Sequence, residues 1–191
     1  MTNIKATYHF KSLYEKLTAT KITDAVGHTI SLDEGIMQAV LLIKEAAAEN
    51  SKVMIIGNGG SAAIASHMHN DLSKCIGAKT LVFTEIPLLT ALSNDESYVV
   101  AYQTQVELWA EENDLLIAIS SSGESKNILN AVKSAKEKKC KVITLSGFSE
   151  NNKLRKMGDV NIYVPDKSYG YVEEMHSVIT HFITDCAAEK Y

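Results

Sequence analysis

Five short apolar or β-rich runs, Val53–Ile56, Thr80–Thr84, Leu115–Ile119, Lys141–Leu145 and Val160–Val164, alternate with helical patterns at Ala62–Lys74, Tyr98–Glu111, Ser125–Lys139 and Asn151–Met157. Neighbouring parallel strands cannot be joined by a tight turn, so each needs a crossover, and a helix is the usual one. The alternation therefore predicts an α/β fold with a five-stranded parallel sheet covered on both faces. Right-handed crossovers make it a doubly wound three-layer α/β/α sandwich, with ligands at the carboxyl ends of the strands. A chain of 191 residues can bury one good core and is short for two. One domain over residues 1–191 is expected, with a helical arm over 1–50 and the α/β core and C-terminal helix over 51–191.

The arm holds two helical candidates, Tyr8–Leu17 and Ser31–Glu49. Ser31-Leu32-Asp33-Glu34 has the Ser-x-x-Glu form of a capping box, which marks a helix start. At the other end Tyr171–Ala188 carries Val172, Met175, Val178, Ile179, Phe182 and Ile183 at intervals of three and four along an amphipathic helix. Helical arms outside a compact core predict packing against other subunits; the alternative is a helix that covers its own sheet.

Composition narrows the partners. A net charge of −4 argues against a nucleic-acid surface. The densest basic stretch, Lys133 to Lys141, reads as the solvated end of a helix, where cations complement the dipole. Cys75, Cys140 and Cys186 are odd in number and widely spaced, so they read as reduced thiols. The first residues lack a basic-then-apolar pattern and no apolar run approaches eighteen residues, so no membrane association and a cytoplasmic location are expected.

Two turns carry the chemistry. Gly57-Asn58-Gly59-Gly60-Ser61 follows the first strand candidate, and Ser120-Ser121-Ser122-Gly123-Glu124-Ser125 follows the third. Each opens a helix, where unpaired N–H groups and the positive end of the macrodipole favour an anion. Neither loop contains lysine or arginine, so neutral donors would hold a phosphate, which suits a small phosphorylated metabolite. A rival reading exists, because Gly57-x-Gly59-x-x-Ala62 also satisfies a permissive dinucleotide fingerprint with Glu85 as the ribose-binding acid. It leaves the serine loop unexplained.

On the helix after the first loop, His67 and Asp71 are four apart and share a face, where they can share a proton or a metal ion. His69 points elsewhere. The last helix offers His181 with Glu173 eight positions earlier and Glu174 seven earlier, and spacing does not choose between the glutamates. Ser93-Asn94-Asp95 lies on an expected loop that could place a carboxylate over the pocket. Tyr98 and Trp109 read as packing residues.

At these residues the chain resembles the sugar isomerase (SIS) family, and within it the phosphoheptose isomerases. Gly57–Ser61 matches that family's first loop, Ile119–Ser125 resembles its I-S-T-S-G-N-S phosphate loop, and Asn94-Asp95 resembles its G-N-D loop with Ser93 in place of glycine. The Glu174-Met175-His176 stretch resembles E-I-H, which sets the register and selects Glu173. The resemblance implies the SIS fold with extra N-terminal helices, a homotetramer, and an aldose–ketose isomerase for a phosphorylated sugar, sedoheptulose 7-phosphate foremost. It implies one Zn2+ or other divalent metal per subunit held by His67, Asp71, Glu173 and His181, with Asp71 and His181 as the acid–base pair. Asn58, Gly59, Gly60, Ser61, Asn94, Asp95, Ser120, Ser121, Ser122, Ser125 and Glu173 would hold the substrate. The family has Glu where this chain has Asp71, and Gln where it has Glu173. Those departures keep two alternatives in play, a non-catalytic phosphosugar-binding or regulatory protein and an isomerase for another sugar phosphate.

Overall fold

The computed structural model describes residues 5–190. Its sheet has seven strands, β1 (Lys21–Asp24), β2 (Thr29–Ile30), β3 (Lys52–Gly57), β4 (Lys79–Val82), β5 (Leu115–Ser120), β6 (Lys141–Ser146) and β7 (Val160–Tyr163), in the order β2-β1-β7-β6-β5-β3-β4. The five strands read from the sequence are β3 to β7, and they are mutually parallel. The sheet exceeds the expected five because β1 and β2 add an antiparallel hairpin along β7. That hairpin carries a weak signal, since β2 is two residues long and β1 contains one apolar residue, Ile22.

The helices are α1 (Ala6–Thr18), α2 (Leu32–Ala48), α3 (Gly60–Ile76), α4 (Ile86–Leu92), α5 (Ala101–Trp109), α6 (Lys126–Glu137) and α7 (Tyr169–Ala187). The Ser31 hydroxyl caps α2 by accepting from the Glu34 N–H at 3.2 Å, as its sequence pattern requires. Two regions depart from expectation. The helix expected over Tyr98–Glu111 is confined to α5 and is preceded by α4 and a π-helical turn, Ser93–Ser97, where a loop was expected. The helix expected over Asn151–Met157 is a single 3-10 turn, Leu154–Lys156.

Alternation along the central strands divides the core. Val53, Ile55, Ile117, Ile119, Ile143 and Leu145 face a layer built from α2, α3 and α7. Met54, Ile56, Leu116, Ala118 and Val142 face the opposite layer, with Tyr102 and Val106 of α5 and Ile128 and Val132 of α6. Because β3 is followed by α3 on one face and β5 by α6 on the other, the chain changes direction between these two neighbouring strands. Such a topological switch opens a crevice at the carboxyl ends of the strands. Both Gly/Ser loops lie there.

Candidate active site

The glycine loop leaves β3 and enters α3 through Gly59, whose φ of +54° is in the region that favours glycine. The serine loop leaves β5 and enters α6 through Ser125, whose side chain makes no capping bond to the helix. Gly123, at φ +64°, turns the loop back, and its N–H donates to the Ser120 Oγ at 3.2 Å. Ser122 Oγ accepts from the Glu124 N–H at 3.2 Å, and the Ser120 and Ser125 hydroxyls lie 3.4 Å apart. The Ser121 Oγ is buried with no hydrogen-bond partner among the described residues. A buried hydroxyl left this way costs free energy unless a ligand supplies its partner, and a phosphate oxygen is such a partner. Ser61, in the first turn of α3, is also buried.

The histidine and carboxylate groups gather on α3 and α7, which pack on each other. His67 Nε2 is 3.1 Å and His181 Nε2 is 3.8 Å from Asp71 Oδ2, and the two imidazole rings are 4.6 Å apart. One donor atom from each of the three residues lies within 4.8 Å of the others. His181 Nδ1 is 3.0 Å from the Ser177 carbonyl oxygen, which can only accept, so that bond uses a proton on Nδ1 and Nε2 is the nitrogen turned toward Asp71. Two imidazole nitrogens and a carboxylate suit a borderline divalent cation such as zinc.

Glu173, expected as a fourth ligand, is not in this cluster. It lies in the second turn of α7, eight residues before His181 and roughly 12 Å of helical rise away, and its carboxylate lies against the start of α3. A Cβ added at Gly60 would stand 2.3 Å from Glu173 Oε2, so the glycine is what admits the contact. There the carboxylate meets the positive end of the α3 dipole. Glu174 points away and pairs with His9 of α1 at 3.3 Å.

Asn94 and Asp95 are exposed on the π-helical turn, where the Asn94 amide donates to the Asp95 carboxylate at 2.8 Å. His176 is fully buried, and burial lowers its pKa to about 4, against a smaller opposing effect of its bond to the Ser146 carbonyl. It is a neutral structural imidazole. Glu85, the acid of the dinucleotide reading, is the N-cap of α4 and accepts from the Leu88 N–H.

Two polar residues at the site carry no sequence signal of their own. Asn127, in the first turn of α6, forms a reciprocal amide pair with Asn58, and the Tyr98 hydroxyl donates to Asn58 Oδ1 at 2.7 Å. The packing role expected of Tyr98 and Trp109 is not what they have, since both are more than two-fifths exposed. Their helical spacing resembled a buried stripe, but Tyr102 is the ring that fills the core.

The SIS domain matches residues 18–147. Phosphoheptose isomerase of Helicobacter pylori is 36% identical over 162 residues, covering 81% of this chain and 83% of that protein. That of Aliarcobacter butzleri is 34% identical over 159 residues, covering 80% and 84%. The structure of phosphoheptose isomerase from Neisseria gonorrhoeae superposes with a TM-score of 0.83 at 27% identity, covering 96% of each chain.

Proposed function

We infer the function from a shared family: the chain belongs to the SIS domain family, and within it to the phosphoheptose isomerases. It is an aldose–ketose isomerase. The substrate we propose is sedoheptulose 7-phosphate, with D-glycero-D-manno-heptose 7-phosphate as product. Moving a carbonyl between C1 and C2 requires a base that takes a proton from one carbon and returns it to the other, and a partner that moves protons at the oxygens. We assign Asp71 to the first role and His181, whose Nε2 faces Asp71 on the side away from the Ser177 bond, to the second.

His67, Asp71 and His181 would hold one divalent cation, zinc on the chemistry of the donors, which when bound supplies Lewis-acid polarisation of the substrate carbonyl. The remaining work belongs to the chain. Ser120, Ser121, Ser122 and Ser125, with Asn58, Gly59, Gly60 and Ser61, take the phosphate, and that remote binding energy orients the reacting carbons. Asn94, Asp95 and Glu173 are assigned to the hydroxyl-bearing part of the sugar. The observation that carries the proposal is the His67–Asp71–His181 cluster, built on the helix that the glycine loop opens and on the helix that also bears Glu173.

We further propose a homotetramer of one-domain subunits in the cytoplasm. Support for assembly comes from apolar side chains exposed on α1, α2 and α7, among them Tyr14, Leu41 and Val178, and from a 250 Å3 groove between these helices. Among the described residues no helix is long and apolar enough to cross a membrane. The test is turnover of sedoheptulose 7-phosphate by protein loaded with Zn2+. Conversion is expected; saturable binding without conversion would favour the non-catalytic phosphosugar-binding alternative.

A further inference from the structure

Three segments assigned to the substrate meet at one hydrogen-bonded node. Asn58 comes from the glycine loop, Asn127 from the first turn of α6 behind the serine loop, and Tyr98 from the end of the π-helical turn that bears Asn94 and Asp95. Asn127 Oδ1 accepts from the Ile128 N–H at 3.0 Å, which fixes the orientation of that amide. Asn58 must then turn its Nδ2 toward Asn127 Oδ1, at 3.0 Å, and its Oδ1 toward Asn127 Nδ2, at 2.8 Å. The same Asn58 Oδ1 accepts from the Tyr98 hydroxyl at 2.7 Å. One helical turn on, the buried Tyr102 hydroxyl donates to the Gly57 carbonyl at 2.6 Å, and the two tyrosine rings lie 6.5 Å apart. Burial raises the Tyr102 pKa, so it stays a phenol donor.

We propose that Tyr98 and Asn127 are positioning residues that act through Asn58 to hold both anion-binding helix starts, and the Asn94–Asp95 turn, in one preformed arrangement. The inference rests on the substrate reading above. Asn127 is buried, so its amide is committed to the node, whereas Tyr98 is 43% exposed and contributes little core packing. Its hydroxyl therefore bears on the site more than on the fold. Without it, the loops must be ordered when substrate arrives, a cost shared by the ground and transition states.

The test compares the parent with Tyr98→Phe, Asn127→Ala and the double variant, each loaded with Zn2+. Sedoheptulose 7-phosphate is the probe in steady-state kinetics and in equilibrium titration. For Tyr98→Phe, KM and the dissociation constant rise about fivefold, the effect of one net hydrogen bond, while kcat stays within about twofold of the parent. Its melting temperature changes by less than about 2 °C. Adding Tyr98→Phe to Asn127→Ala costs less than about twofold more, because the two act as one unit. Independent, multiplying effects, or a Tyr98→Phe variant with parental KM and affinity, would overturn the proposal while leaving the isomerase reading intact. A parent that binds without turnover would sink the isomerase reading, and the titration would still decide the node. A parent that neither binds nor converts the sugar phosphate would overturn both.

Discussion

Replacing Asp71 with asparagine keeps the size of the side chain and removes its charge and basicity. The carboxylate serves two directions. Oδ2 faces His67 Nε2 at 3.1 Å and His181 Nε2 at 3.8 Å, and Oδ1 accepts from the Asn70 amide at 3.0 Å. An amide can keep its oxygen toward only one of these. If the oxygen stays with Asn70, an N–H2 group faces both imidazoles and offers no ligand atom to a cation. If it turns to the histidines, two amide N–H2 groups confront each other at Asn70. In neither orientation can the group accept a proton from carbon. The kcat should therefore fall by about 10²- to 10⁴-fold, the usual worth of a positioned general base. The serine loop is untouched, so KM should stay within about threefold. The assay is steady-state isomerisation of sedoheptulose 7-phosphate, with bound zinc measured on the same samples. A variant that binds zinc and retains kcat within about tenfold of the parent would refute the assignment of Asp71 as the base.

His176 makes a prediction about acid stability. Its folded pKa, about 4, lies below the ordinary value near 6.5, so the unfolded chain binds the proton more readily. The stability conferred by the neutral imidazole is complete above about pH 6.5 and is lost as pH falls toward 4, by about 2–3 kcal/mol between pH 7 and 4.5. Urea unfolding at those two pH values should show a shallower loss for His176→Gln than for the parent, and equal losses would contradict the buried neutral assignment. For Glu173→Gln, removing a negative charge beside the α3 start should tighten inorganic phosphate about fivefold in a calorimetric titration. Unchanged or weaker phosphate binding would place that carboxylate away from the anion.

Much of this architecture was legible from periodicity. The five apolar runs are the five parallel strands because strands buried on both faces need continuous hydrophobic sequence, and Val53–Ile56 and Leu115–Ile119 have it. The β1–β2 hairpin was not legible, since its single fully buried apolar residue, Ile22, is flanked by Lys21 and Thr23, and the edge strand β2 is two residues long. The π-helical turn at Ser93–Ser97 was hidden for another reason: its polar residues are those of an ordinary loop. Within the site, the i, i+4 spacing of His67 and Asp71 found two members of the cluster, the last helix offered His181, and the Glu-Met-His register selected Glu173. Spacing could not tell that Glu173 would lie on Gly60, because that depends on how α3 and α7 are aligned. Nor could it find the Asn58–Asn127–Tyr98 node, whose members are brought together from 40 and 69 residues apart.

The chemistry assigned to this chain is the movement of a proton between C1 and C2 of a phosphorylated ketose. The most direct measurement is NMR of sedoheptulose 7-phosphate incubated in D2O with the zinc-loaded protein. A base that exchanges with solvent during the transfer labels the carbon to which it returns the proton. The expected result is an aldose phosphate carrying deuterium at C2, together with loss of one proton from C1 of the remaining ketose, and neither signal with Asp71→Asn. A sugar phosphate recovered unconverted and unlabelled from the zinc-loaded parent would contradict it.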